Sequence, residues 1–190
     1  MVASHVALLR GINVGGRNKV PMAELREVVT SLGHTGVTTY IQSGNVLFTA
    51  PDSDRAQLAS DLESAIADAF GIAASVVVVS RDQLAQILAS NPYPGEPNPK
   101  LVHVVFLNAE LPADLMNRIK KAESASAAKG SRDSVTSIGP ALYLHTPDGF
   151  GNSELSQVLF RIVGTGQHKL AATARNWSTS TTLLSLCEER

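Results

Sequence analysis

Apolar positions along the chain switch repeatedly between a strand-like and a helical period. Val6–Ile12 is a continuous apolar run that ends in the polar, glycine-rich loop Asn13–Lys19. Pro21 suits the first turn of a helix, where its missing N–H is an orphan in any case. Leu25, Val28, Val29 and Leu32 repeat at helical spacing, and Gly33 supplies the stop. Val37–Ile41 and Val46–Thr49 flank Gln42-Ser43-Gly44-Asn45 and read as a hairpin. Asp52–Phe70 has Leu58, Leu62, Ile66 and Ala69 on one helical stripe, Ser75–Val79 is a buried β-branched strand, and Arg81–Ala89 is a short helix.

Asn91–Pro99 carries four prolines and a glycine, which no helix or strand tolerates, and reads as a linker. Beyond it the order repeats. Leu101–Leu107 is a strand, Ala113–Ala128 a helix, and Ser134–Ile138 with Ala141–His145 a hairpin around Gly139-Pro140. Glu154–Val163 is a helix, Leu170–Ala174 a short final strand and Ser178–Glu188 a closing helix. Gly44 and Gly139 stand 95 residues apart, Arg81 and Arg175 94 apart. The pattern therefore predicts an α+β protein of two duplicated ferredoxin-like (split β-α-β) halves, with antiparallel or mixed sheets and helices on one face of each. Residues 1–90 form the first half, 91–99 the linker, and 100–190 the second half with its C-terminal helix.

This topology brings two distant loops together. In a split βαβ unit the first two strands run the same way and the third returns beside the first. Arg10–Val20 and Gln42–Asn45 should then meet at one sheet edge. Arg10, Arg17 and Lys19 are three of the six basic residues before the linker, with no acid among them until Glu24. Gly15 and Gly16 allow a backbone to approach a ligand closely. Asn13, Gln42, Ser43 and Asn45 add neutral donors and acceptors, and the loop runs into a helix start, which favours an anion.

Composition narrows the setting without naming a reaction. With 190 residues, 44% hydrophobic and 17% charged, the chain is an ordinary globular one. Sixteen Lys+Arg against 17 Asp+Glu disfavours a protein whose main work is coating nucleic acid. A single Cys187 excludes an internal disulfide and fits a reducing cytoplasm. No run approaches the ~18 apolar residues of a membrane span.

Leu8–Met22 (LLRGINVGGRNKVPM) and Tyr40–Val46 (YIQSGNV) closely resemble the signature of the bacterial domain-of-unknown-function family 1697, DUF1697. Thr173–Thr179 and Pro147–Ser153 resemble its further motifs. Arg17 stands where the family usually has Lys, Ala174 where Thr is usual, and Asn152 where a basic residue is common. The resemblance implies a cytoplasmic, duplicated ferredoxin-like fold and no established activity.

Other chemistries find little footing. The glycine-rich loop lacks both the P-loop and the dinucleotide spacing, so no cofactor is implied. Ser43 lies between two strands, not at a strand-to-helix elbow, and reads as a turn residue. His5, His34, His103, His145 and His168 are scattered with no metal-ligand spacing, so no metal is expected. His103 shares a strand face with Leu101 and Val105 and reads as a hydrogen-bonded core or interface residue. Asp148 and Glu154 have no forced partner. Arg175 and Asn176 either support the structure, by pairing and capping, or offer a donor fork to an anion.

The residues thus point to a small anionic ligand, bearing phosphate or carboxylate, held by Arg10, Asn13, Gly15, Gly16, Arg17, Lys19, Gln42, Ser43 and Asn45, with Arg175 and Asn176 as further candidates. No general base stands in either loop. The alternative is a non-catalytic protein- or RNA-interaction module. RNA ranks below protein there, because the first strand offers Ala7 and Leu9 where RNA-reading sheets carry aromatic residues.

Overall fold

Two apolar strands organise the fold, each at an inner position of its own sheet. In the computed structural model, which describes residues 3–51, 54–165 and 170–189, the first half of the chain runs β1 (His5–Arg10), α1 (Met22–Ser31), β2 (Thr35–Tyr40), β3 (Asn45–Thr49), α2 (Arg55–Phe70), β4 (Ser75–Ser80) and α3 (Arg81–Ala89). The second repeats the order as β5 (Val102–Leu107), α4 (Ala113–Ala127), β6 (Ser134–Ile138), β7 (Ala141–His145), α5 (Glu154–Gly164), β8 (Ala172–Asn176) and α6 (Trp177–Glu188). A 3-10 turn, Phe150–Asn152, precedes α5. The sheets are ordered β2-β3-β1-β4 and β6-β7-β5-β8, and every ladder in them is antiparallel.

The duplication is visible in the starting residues. β1 and β5 open at His5 and Val102, β3 and β7 at Asn45 and Ala141, β4 and β8 at Ser75 and Ala172. Local chemistry sets the helix ends. Asp54 caps α2 by accepting from the Ala56 N–H at 3.0 Å, and Gly71 closes it in the left-handed conformation. Ser153 caps α5 by accepting from Ser156 N–H at 2.8 Å. Asp52, Ser53 and residues 166–169 lie outside the described residues.

The last strand is displaced from its expected position. The apolar pattern predicts it at Leu170–Ala174, ahead of Arg175. It runs instead over Ala172–Asn176, with Arg175 opposite Val104 and Asn176 opposite His103. Pairing to β5 decides the register here, because Ala-Thr-Ala-Arg-Asn has little apolar pattern of its own.

In the first unit, α1 and α2 bring Leu25, Val29, Leu58, Leu62 and Ile66 against Ala7, Leu9, Val46, Phe48 and Val76. In the second, Leu115, Ile119, Leu155 and Leu159 meet Val105, Leu142 and Leu144. The opposite sheet faces are buried too: Val6, Leu8 and Leu47 are all fully inaccessible, as are Val104, Phe106 and Tyr143. Tyr143 donates its hydroxyl to the Ile87 carbonyl of α3 at 2.6 Å. By contact density the chain divides inside two helices. One unit is Met1–Ala85 with Thr182–Arg190, the other Gln86–Thr181.

Candidate functional site

The β1–β3 ladder extends one residue past the hairpin strand, where Leu9 N–H donates to the Gly44 carbonyl at 2.8 Å. This carries the chain leaving β1 to the tip of the β2–β3 hairpin. Beyond Arg10 the backbone makes a small hairpin of its own. Arg17 N–H donates to Val14 C=O at 3.1 Å, and Asn13 N–H to Asn18 C=O at 3.0 Å. Gly15 and Gly16 form the turn at φ +59° and +76°, the mirror-image geometry that suits a two-residue hairpin, and a Cβ on either would meet nothing within 4 Å.

Asn13 closes this loop at its base. Its side-chain amide donates to Val20 C=O at 3.0 Å and to Gln42 C=O at 2.9 Å, while its carbonyl oxygen accepts from Val20 N–H at 2.9 Å. Asn18 adds a bond from its amide to Gly11 C=O at 2.8 Å. At the hairpin tip, buried Asn45 donates to Tyr40 C=O at 3.0 Å and to the Ser43 hydroxyl at 3.1 Å. Gly44 packs so closely on Leu9 and Ile12 that a Cβ would come within 2.8 Å of Leu9 Cβ.

The loop and the tip are therefore neighbours, as the topology requires. Arg10, Gly15, Gly16, Arg17, Lys19, Gln42 and Ser43 are exposed there. Asn13 is half-buried and Asn45 fully buried, and the amides of both are engaged with the chain's own carbonyls. Two residues at this apex stand outside the polar reading. Val14 is 67% exposed, and Ile41 is 49% exposed with φ +50°. A β-branched residue in the left-handed region is strained by about 1–3 kcal/mol. Val14 breaks the polar run of its loop, which is a signal the sequence does carry. Nothing local announces the backbone of Ile41.

Arg175 and Asn176 belong to the second unit. Arg175 is 8% exposed and donates from Nη1 to the Thr173 hydroxyl at 2.8 Å and to Ala174 C=O at 2.9 Å. Burial lowers its guanidinium to about 10, so it is charged at neutral pH. Asn176 caps α6, its Oδ1 accepting from Thr179 N–H at 2.8 Å.

Both apical segments fall within residues 2–136, which match the family model for proteins of unknown function designated DUF1697. The chain belongs to the DUF1697 family. Pro147–Ser153 and Thr173–Thr179 lie beyond the matched residues. In overall fold this DUF1697 protein is similar to the conserved bacterial protein SP0830 from Streptococcus pneumoniae, at TM-score 0.70 and 24% identity, over 98% of this chain and 99% of that one. No curated protein matches it.

Several other polar groups of this DUF1697 chain pair with near neighbours. The Pro147–Ser153 segment borders a cleft of ≈ 290 Å³ with the end of α4. Its acids have partners the sequence does not force: Glu154 pairs with Lys129 at 2.9 Å and Asp148 with Arg132. His5 shares a hydrogen bond with Ser4, His34 lies against Phe48, and His145 meets Glu96 at 2.7 Å. His103 is buried and stacked on Phe150 at 4.1 Å, but its Nδ1 has no hydrogen-bond partner, so a fully hydrogen-bonded core histidine is not what the strand holds. Among the described residues no group of three His, Cys, Asp or Glu could hold a metal; His168 lies outside them.

Proposed function

We propose that the first unit binds a small anion, bearing phosphate or carboxylate, between the 10–19 loop and the 42–45 tip. The bond from Asn13 to Gln42 C=O at 2.9 Å carries the reading, since it fixes two polar segments, distant in sequence, as one surface. Around that joint stand Arg10, Arg17 and Lys19, exposed and with no acid in either segment. Cations there neutralise a ligand's charge, and the turn amides of Gly15 and Gly16 approach it without steric hindrance. Any reaction at the site would draw on the same cations to stabilise developing negative charge. A cytoplasmic setting fits a lone, buried Cys187 and the absence, among the described residues, of any helix long and apolar enough to cross a membrane.

The test is thermal stabilisation at fixed pH across inorganic phosphate, nucleotides, sugar phosphates and dicarboxylates, with wild type beside an Arg17→Ala/Lys19→Ala variant. Stabilisation grows as RT ln(1+[L]/Kd), so millimolar binders register. A shift lost in the variant supports the reading. Equal shifts in both proteins, or none in either, sink it.

A second reading, an interaction module, has its own observation: exposed Val14 and Ile41 give the apex an apolar element that a small anion does not need. RNA held on a sheet face is disfavoured, because the residues of β1 are buried on both faces.

A further inference from the structure

Three loops meet at one end of the first sheet. Arg10 stands opposite Ser75 and Leu8 opposite Asn45, so the chain leaving β1, the β2–β3 tip and the chain entering β4 share that end. Residues 11–21, 41–44 and 71–74 contain no acid, while Arg17 and Lys19 stand in the first of these loops and Arg10 at its foot. No ion pair among the described residues engages Arg17 or Lys19. The first acids beyond the loops, Glu24 and Asp68, belong to α1 and α2.

The same end holds aliphatic side chains in solvent. Of the four large hydrophobic residues exposed among those described, the two most exposed, Val14 and Ile41, are both here. Each directly neighbours one partner of the bond from Asn13 to Gln42 C=O. Ile41 keeps its left-handed backbone although asparagine or glycine would adopt it at lower cost, and its side chain, half in solvent, gains little packing in return. Residues 14–19 and 41–43 are exposed throughout, so both tips project.

Projecting aliphatic tips beside unopposed cations complement a surface that is anionic outside and apolar a few ångströms beneath. We propose that this end of the first unit docks on an anionic lipid bilayer, with Val14 and Ile41 entering the boundary between headgroups and acyl chains and Arg10, Arg17 and Lys19 meeting lipid phosphates. The proposal rests on the anion-binding reading above and names a lipid headgroup as the source of the anion. Three cations or two aliphatic side chains alone hold a protein poorly; together they supply the two signals that surface binding needs, and the contact is weak and reversible.

Other occupants fit less well. A second copy meeting this one end to end would set like charges together, with no acid in any of the loops to offset them. A nucleic acid would engage the cations but find no aromatic residue in 11–21, 41–44 or 71–74 on which a base could stack. A rigid protein surface must offer a hole matched to each projecting side chain, whereas a fluid bilayer yields to any shape.

Co-sedimentation of the full chain with vesicles at about 50 mM ionic strength is the test. Vesicles of phosphatidylglycerol and phosphatidylcholine in equal parts should carry the protein down, and pure phosphatidylcholine should bind it at least about tenfold more weakly. Arg17→Ala/Lys19→Ala should weaken binding to the mixed vesicles by about tenfold or more. Val14→Ser/Ile41→Asn keeps the charge, suits the backbone at 41 and should weaken it by roughly tenfold. Val14→Ser alone covers the case in which the pair does not fold. No binding to the mixed vesicles, equal binding to both kinds, binding indifferent to the loss of the aliphatic side chains, sedimentation without vesicles, or release of bound protein to a single-stranded RNA of equal phosphate content overturns the proposal. Thermal stabilisation by inorganic phosphate or glycerol phosphate without vesicle binding sinks the lipid surface alone and leaves the anion site standing.

Discussion

The side-chain amide of Asn13 donates to the main-chain carbonyl of Gln42, joining a loop and a hairpin tip that meet only through the fold. Because the same side chain also satisfies Val20 N–H and C=O, it replaces a missing rung of backbone structure. Asn13→Ala removes all three bonds and leaves a residue poorly suited to φ +53°. Folding stability should fall by roughly 2–3 kcal/mol, measured by urea denaturation, with the amide resonances of Val20 and residues 41–44 shifted. A loss below about 0.5 kcal/mol would mean that the joint is not structural.

Two glycines at the same apex should behave differently. A Cβ on Gly44 would press Ile12 Cδ1 at 2.7 Å and Leu9 Cβ at 2.8 Å, at a φ of +76°. Gly44→Ala should destabilise by roughly 2–4 kcal/mol through overpacking and backbone strain together. Gly15→Ala meets open space, so strain of about 1 kcal/mol is its whole effect. Gly15→Val adds a β-branched side chain at φ +59° and should cost about 1–3 kcal/mol through backbone strain alone. Equal losses of stability at positions 15 and 44 would contradict this account of the packing.

Element order, hairpins and helix stops are legible in the sequence, because they follow from local periodicity and from glycines such as Gly33 and Gly71. Strand order then brings loop and tip together. The role of Asn13 is not legible, because an asparagine in a glycine-rich loop reads the same whether it serves a ligand or its own backbone. Ile41 is hidden for the opposite reason: β-branching argues locally against a positive φ, and only the tight tip imposes it. Arg175 reads as one step past its strand because pairing with β5, and no apolar pattern, sets the end of β8.

Arg175→Lys keeps a charge but loses the planar guanidinium, whose Nη1 serves both the Thr173 hydroxyl and the Ala174 carbonyl. With Arg175 buried, the change should cost roughly 1–3 kcal/mol of folding stability, read from the shift in denaturation midpoint. An unchanged midpoint would assign the guanidinium to something other than holding β8.

Acid should weaken the second unit through His103. Burial lowers its imidazole to about 4 from 6.5, so the unfolded chain binds more protons between those values. Stability is full above about pH 6.5 and falls as pH drops toward 4, by roughly 3 kcal/mol at the limit. His103→Phe keeps the stacking on Phe150 and removes the titration. The difference in stability between variant and wild type should grow steadily from pH 7 to pH 4; a constant difference would show that the ring does not titrate in this range.

Leu183 and Cys187 are fully buried, in the C-terminal segment that the first unit includes. Leu183→Ala should cost about 2–5 kcal/mol, and a chain ending at Thr181 should lose cooperative unfolding of β1–β4 as followed by amide exchange. Retention of cooperative exchange in that shortened chain would show that the first unit is complete without it.

That return of Thr182–Arg190 has a consequence in time as well as in space. A ribosome making this chain releases β1–β4 first and then synthesises the whole of Gln86–Thr181 before the closing segment exists. At about 5–20 residues per second the delay is roughly 5–20 s. During it the nascent first unit is without the closing segment and its buried Leu183 and Cys187, and is open to chaperones and proteases for that interval. Rare codons in the second unit would lengthen this exposure, and fast ones would shorten it.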